Sequence, residues 1–234
     1  MNLKEKAMTP RNETLSIGLL MAAVGGFVDA YTYITRGNVF AYAQTGNIIF
    51  TGMKLVEGNI MECLMYIFPI IAYFLGVFIT DYLNSKIIRT TVVTIQTVVL
   101  TAEVLLLLAV GFLPQTIPNV SVTVLISFLS AIQVQSFRVV YNTPYACTMC
   151  TGNLRSSAER LHKFFATKDK EHLIHFLRYT YINISFFAGA ALGALFSQLL
   201  YERAAFIACI LLFAALVMIV ADRHKKLRLS HFEG

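Results

Sequence analysis

The sequence predicts an all-α, polytopic membrane protein: six transmembrane helices arranged as two inverted three-helix repeats, with short re-entrant or interfacial helices after helices 1 and 4. Three observations carry this reading. Hydrophobic residues make up 57% of the 234-residue chain and charged residues 14%, and the mean hydropathy is +0.66, far from the balance of a soluble domain. Six apolar runs punctuate the chain. The tripeptide Thr-Gly-Asn occurs twice, at 45–47 and 151–153, each time just after a long hydrophobic segment.

The runs lie near residues 15–35, 61–83, 91–113, 120–141, 177–200 and 204–221. Each is about 20 residues, the length that crosses a hydrocarbon core of about 30 Å at about 1.5 Å per residue. Between them the longest polar stretch, 152–175, is too short to hold a core of its own, so a single membrane domain fills residues 1–234. The first run has a basic start and a small-residue patch, MAAVGG, like a secretory leader. It is read instead as a permanent helix, because it has a partner later in the chain.

Charge sets the orientation. If the helices alternate, Lys4, Lys6, Arg11, Lys86, Arg89, Arg155, Arg160, Lys163, Lys168, Lys170, Arg178, Arg223, Lys225, Lys226 and Arg228 share one side, with Arg138 close to it, whereas Arg36, Lys54 and Arg203 face the other. This positive-inside bias puts both termini in the cytoplasm and accounts for the net charge of +6 without a nucleic-acid partner. The lipid bilayer is the first partner implied, and homo-oligomers remain open.

Superimposing the two Thr-Gly-Asn copies tests for a repeat. The same offset pairs Gly25 with Ala131, Asp29 with Gln135, Thr32 with Arg138 and Arg36 with Asn142, a single helical stripe in each copy. Further on, Ala72, Gly76, Thr80 and Asn84 match Ser185, Gly189, Gly193 and Ser197, two ladders of small residues that let helix backbones approach closely in a bilayer. Gly25, Gly26, Gly76, Gly189 and Gly193 are thus the candidate packing residues. The repeats are 15–113 and 120–221, and because each holds three crossings the second enters from the opposite face. Such inverted pairs occur in transporters with binding sites between the repeats, an inference by analogy of architecture.

The blocks GGFVDAYTY, VFAYAQTGNIIFTG and AIQVQSFRVVYNTPYACTMCTGN resemble the YoaK-like family of bacterial inner-membrane proteins, a family whose function is not established. The resemblance spans nearly the whole chain and implies a multi-pass protein of the bacterial cytoplasmic membrane. It supplies no substrate or mechanism.

Gly46 and Gly152 suggest helix breaks in which glycine takes a positive φ and Thr45, Asn47, Thr151 and Asn153 cap helix-end amides. Two uses are open: a structural elbow, or the lining of a solute path, since broken helices are tolerated in a bilayer only where buried in protein or beside a wet cavity. After the second copy, LRSSAERLHKFF sets Leu154, Ala158, Leu161 and Phe165 on one face and reads as an interfacial helix. After the first, IIFTGMKLV is apolar enough to dip into the membrane.

Ionisable residues within the spans are costly and often functional. By rise per residue Asp29 lies about 21 Å and Glu103 about 18 Å from the cytoplasmic side, whereas Arg138 lies close enough to snorkel. Asp29 shares a face with small residues and is expected to point into the bundle; Glu103 has only Thr101 and Gln96 as polar neighbours on its own run. The candidate substrate or proton path therefore comprises Asp29, Glu103, Gln135, Gln44, Thr45, Asn47, Thr151 and Asn153.

Cys147 and Cys150 form a CxxC with no second pair or histidine to complete a metal set, and read as packing residues. His172 and His175 are expected in a solvated loop. No metal, cofactor or catalytic cluster is expected, and the chain is not read as an enzyme. Two functions remain: a small-solute transporter, with proton coupling as one mechanism, or a membrane interaction or assembly protein that docks a partner or anionic lipid through basic residues 155–178.

Overall fold

The computed structural model describes residues 13–86, 95–141, 143–145 and 148–232. Lys4, Lys6, Arg11, Arg89, Asn142 and Cys147 lie outside them. In chain order the described elements are α1 Leu15–Thr35, α2 Gln44–Val56, α3 Ile60–Lys86, α4 Ile95–Phe112, α5 Asn119–Ser136, an antiparallel pair β1 Val139–Val140 and β2 Thr143–Pro144, α6 Cys150–Thr167, α7 Lys170–Leu200 and α8 Ala205–Phe232. The architecture is all-α and polytopic.

Five described stretches are long and apolar enough to cross a membrane: Leu15–Thr35, Ile60–Tyr82, Ile95–Phe112, Asn119–Ser136 and Lys170–Asp222. The last, 53 residues, spans α7 and α8 as far as Asp222. They are separated by a 3-10 turn, Tyr201–Ala204, which starts with Tyr201 at φ 51°. Large apolar side chains cover the outside: Phe74, Phe78, Phe112, Phe187, Ile210 and Phe213 are all more than half exposed, as a lipid-facing surface requires.

Helix directions follow from which residues touch. On α7, Ser185 donates to the Leu19 carbonyl of α1, and Gly189 and Gly193 sit against the backbone of Ala23 and Phe27. The register advances together, so α1 and α7 are parallel. In the same way Gly76 meets the backbone of Phe128 and Asp81 meets Gln135, which makes α3 and α5 parallel. Between α4 and α8 the register runs oppositely: Gly111 lies against Phe206 and Cys209 reaches the Val104 carbonyl. Arg36, just past α1, reaches the carbonyls of Val110 and Leu113 at the end of α4, so those two ends coincide. α1, α4 and α7 thus run one way, and α3, α5 and α8 the other.

The small residues work by absence of bulk. A Cβ on Gly26 would strike the backbone of Phe186 and Ala190, and one on Gly189 the backbone of Ala23, so α1 and α7 meet main chain to main chain. In lipid, where tails are as apolar as leucine, such close approach is a main source of helix–helix affinity. α1 ends up innermost, with Ile17, Met21, Val24, Phe27 and Val28 all fully buried.

Several expectations change. Gly46 and Gly152 lie in the first turns of α2 and α6, so the tripeptide starts a helix rather than breaking one; among the described glycines only Gly37 (φ 86°) and Gly58 (φ 74°) take positive φ. Neither α2 nor α6 has a side-chain cap at its N-cap residue. His172 and His175, expected in a loop, belong to α7, where His172 Nδ1 lies 3.3 Å from Arg160 Nη1 of α6 and His175 pairs with Glu171 at 3.5 Å. Hydropathy cannot separate a solvated helix from a loop, since both are polar.

Candidate functional site

After α1 the chain turns through Gly37 and Asn38, both at positive φ, and comes back alongside the helix it has just left. Val39, Ala41 and Tyr42 are buried in this returning segment. Its backbone is not helical, so each of its N–H and C=O groups needs a partner that lipid cannot supply. Polar side chains provide them. Asp29 Oδ1 accepts from the Tyr42 amide at 2.7 Å and the Ala43 amide at 3.2 Å. Asn47, fully buried, accepts from the Phe40 amide at 3.0 Å and donates to the Phe40 carbonyl at 2.7 Å and to Gln44 Oε1 at 2.8 Å. Gln44 Nε2 and Ser130 Oγ both donate to the Ala41 carbonyl, each at 3.0 Å.

Aromatic rings close the outer side of this segment. Tyr33 and Phe40 stack at 4.9 Å, Phe40 continues to Phe50 at 6.2 Å, and Phe50 meets Tyr66 of α3 at 5.4 Å. Gly46 is small because the Phe40 ring lies over it; an added Cβ would come within 2.6 Å of that ring. The first Thr-Gly-Asn thus has one residue turned inward, Asn47, one made small by a neighbour, Gly46, and one exposed, Thr45. α2 then runs out antiparallel to α3, where Lys54 pairs with Glu57 and Glu62.

The second segment leads from the end of α5 through the β1–β2 pair into α6. The Tyr145 amide donates to the Arg138 carbonyl and the Tyr141 amide to Glu13. Thr148, buried, lies against Gly25 of α1, and Asp29 is within electrostatic reach of the Cys150 thiol at the start of α6. Gly25 and Asp29 are one turn apart, about 6 Å along the axis. The two segments therefore reach the same helix within one turn of each other, from opposite ends of the bundle. Asn153 is buried and Thr151 exposed, as are their counterparts Asn47 and Thr45.

Of the residues picked from sequence, Asp29, Gln44 and Asn47 come together on the first segment. Glu103 joins them through a residue that sequence reasoning missed: Tyr42, whose amide caps Asp29, donates its hydroxyl to Glu103 Oε1 at 2.9 Å. Gln96 and Thr101 turn elsewhere, to the carbonyls of Ser136 and Thr97. Gln135, the offset partner of Asp29, does not join this group; it bonds Asp81 on α3. Arg138 is exposed at the end of α5.

Also missed is a stripe on α5. Thr123, Ser127, Ser130 and Gln133 follow at helical spacing and are all fully buried. Arg36 is fully buried too; its Nη2 donates to the carbonyls of Val110 at 3.2 Å and Leu113 at 3.1 Å, placing a cation on the negative end of α4. Buried side-chain atoms without a hydrogen-bond partner among the described residues include Asp29 Oδ2, Glu103 Oε2, Ser127 Oγ, Gln133 Oε1 and Arg36 Nε and Nη1. No group of three His, Cys, Asp or Glu side chains that could hold a metal occurs among the described residues.

Residues 17–218 match the family described as "Protein of unknown function (DUF1275)". The chain belongs to the DUF1275 family. A DUF1275 chain of this kind is also similar to the "UPF0700 transmembrane protein YoaK" of Bacillus subtilis (strain 168), with 26% identity over 228 residues, covering 94% of this chain and 96% of the relative. No solved structure matches. Family membership fits a multi-pass bacterial membrane protein and leaves the chemistry to be read from the residues above.

Proposed function

We propose that this DUF1275 protein carries a small solute across the bacterial cytoplasmic membrane by a path between two inverted three-helix repeats, 15–113 and 120–221, with six crossings and both termini in the cytoplasm. The observation that carries the reading is the meeting of the two returning segments on α1, at Asp29 and Gly25. Helices that begin inside a membrane protein present N–H groups and a positive dipole end to the interior, the arrangement transporters use at midplane sites. The fold supports the duplication. Exchanging α1 with α5, α2 with α6, α3 with α7 and α4 with α8 turns the α1–α7 packing into α3–α5, α2–α3 into α6–α7 and α1–α8 into α4–α5, and leaves α4–α8 unchanged; every one of these pairs is in contact.

Asp29 is the residue on which the proposal turns, and Glu103 is the second carboxyl available for proton coupling. Purified protein in proteoliposomes, loaded against solute and proton gradients, tests it. Uptake that falls at least tenfold in Asp29→Asn supports the reading; equal uptake by protein-free, wild-type and Asp29→Asn vesicles overturns it.

A second reading has its own observation. On α6 Arg155 is 81% exposed and Leu154 and Phe165 are also turned outward, a surface suited to headgroups or an acidic partner. Replacing Arg155, Arg160, Lys163, Lys168 and Lys170 by Gln removes co-purifying partners if docking is the function, and an unchanged set of partners counts against it.

A further inference from the structure

Helix N-termini inside a membrane ordinarily attract anions. At the start of α2 that place is taken. The Asp29 carboxylate accepts both amides that lead into α2, at 2.7 and 3.2 Å, and lies within electrostatic reach of Cys150 where α6 begins. The buried donors without a partner among the described residues, Arg36 Nε and Nη1, belong to a side chain turned to the end of α4, and the other unpartnered atoms of this group are acceptors or a hydroxyl. Asp29 Oδ2 and Glu103 Oε2, acceptors when the carboxyls are ionised, and Gln133 Oε1 lie on side chains at least nine-tenths buried, and each is without a partner among the described residues. Ser127 Oγ, also without one, can act either way. Neither carboxylate has an ion-pair partner among the described residues. Arg36, the buried cation just past α1, lies seven residues beyond Asp29, about 10 Å along the axis, and is turned to the end of α4.

From this we infer that the site at the meeting of the two segments recognises a small cationic or hydrogen-bond-donating solute, of the ammonium, guanidinium or urea class, and rejects anions. The second oxygens of Asp29 and Glu103 receive its donors, and Ser127 and Gln133 of α5 extend the contact. The inference rests on the transport reading only in placing the site on the path; recognition itself is a binding property.

The test is therefore binding, separate from flux. Thermal unfolding of the detergent-purified full chain is followed with ammonium, methylammonium, guanidinium at sub-denaturing concentration, urea at the same low concentration, acetate, nitrate and phosphate, at constant ionic strength. At least one cationic or donor solute should raise the midpoint by on the order of 5 °C at a hundredfold excess over its Kd. Glu103→Gln and Asp29→Asn, which keep the acceptor oxygens that hold Tyr42 and Ala43, should each reduce that rise by at least half. A rise from anions alone, from no member of the panel, or one that persists undiminished in both variants overturns the inference. Binding without vesicle uptake keeps this inference and sinks the transport reading.

Discussion

The two returning segments carry the same Thr-Gly-Asn at the same place, the first turn of a helix, yet its glycine meets a ring in the first and open space in the second. The first is secured by side chains: Asp29, Gln44, Asn47 and Ser130 take up the backbone of residues 40–43, and the Tyr33–Phe40–Phe50–Tyr66 rings seal it. Among the described residues the second has the β1–β2 pair and the Tyr145–Arg138 bond, with Thr148 against Gly25 and the hydroxyls of Ser157 and Thr180 2.8 Å apart between α6 and α7. Their helices differ as well. α2 exposes Ile48, Ile49, Met53 and Leu55, suited to lipid, while α6 exposes Arg155 and Glu159. Buried polar residues line both parts of the chain, but the buried charged ones among the described residues, Asp29, Arg36 and Glu103, all precede α5.

Asn47→Ala is the strongest way to break this comparison. It strands the Phe40 amide and carbonyl, and at about 1–3 kcal/mol for each buried group left unpaired the loss is about 2–6 kcal/mol. Chemical denaturation in micelles measures it; a loss below about 1 kcal/mol would mean that the first segment is held by its aromatic rings rather than its polar clamps. Next is Tyr42→Phe, which leaves Glu103 Oε1 without its donor and should cost about 1–3 kcal/mol. The same titration reads it, and a neutral outcome would detach Glu103 from the site.

The paired glycines sharpen the comparison further. Gly46→Ala drives a methyl toward the Phe40 ring and should destabilise by about 1–2 kcal/mol, net of the gain in helix propensity. Gly152 faces open space, so Gly152→Ala should leave stability within about 0.5 kcal/mol or raise it slightly. Equal effects at the two positions, measured side by side by thermal unfolding, would erase the distinction drawn between the segments.

The long helices were legible because length and hydropathy are sums over many residues, and the small-residue ladders because Ala72, Gly76 and Thr80, and again Ser185, Gly189 and Gly193, follow at four-residue spacing. Asp29 was legible for the opposite reason: one carboxyl in an apolar run stands out. Tyr42 and the Thr123–Gln133 stripe did not stand out, since hydroxyls and a lone amide hardly lower the hydropathy of a span and their value lies in partners distant in sequence. Arg36 was counted as a topological charge, yet it is buried on the carbonyls of α4, 74 and 77 residues away. The role of Thr-Gly-Asn was misjudged because glycine near a helix start has two uses, a positive φ or room for a neighbour, and only the position of the Phe40 ring decides between them.

The central claim is that the two segments enter from opposite sides. In a variant with the four native cysteines replaced by Ala, Glu57→Cys at the end of α2 and Lys168→Cys just past α6 are labelled singly with a membrane-impermeant maleimide, in intact cells and in inverted vesicles. Position 57 is expected to react in cells and position 168 in inverted vesicles. Labelling of both positions from the same side would contradict the claim.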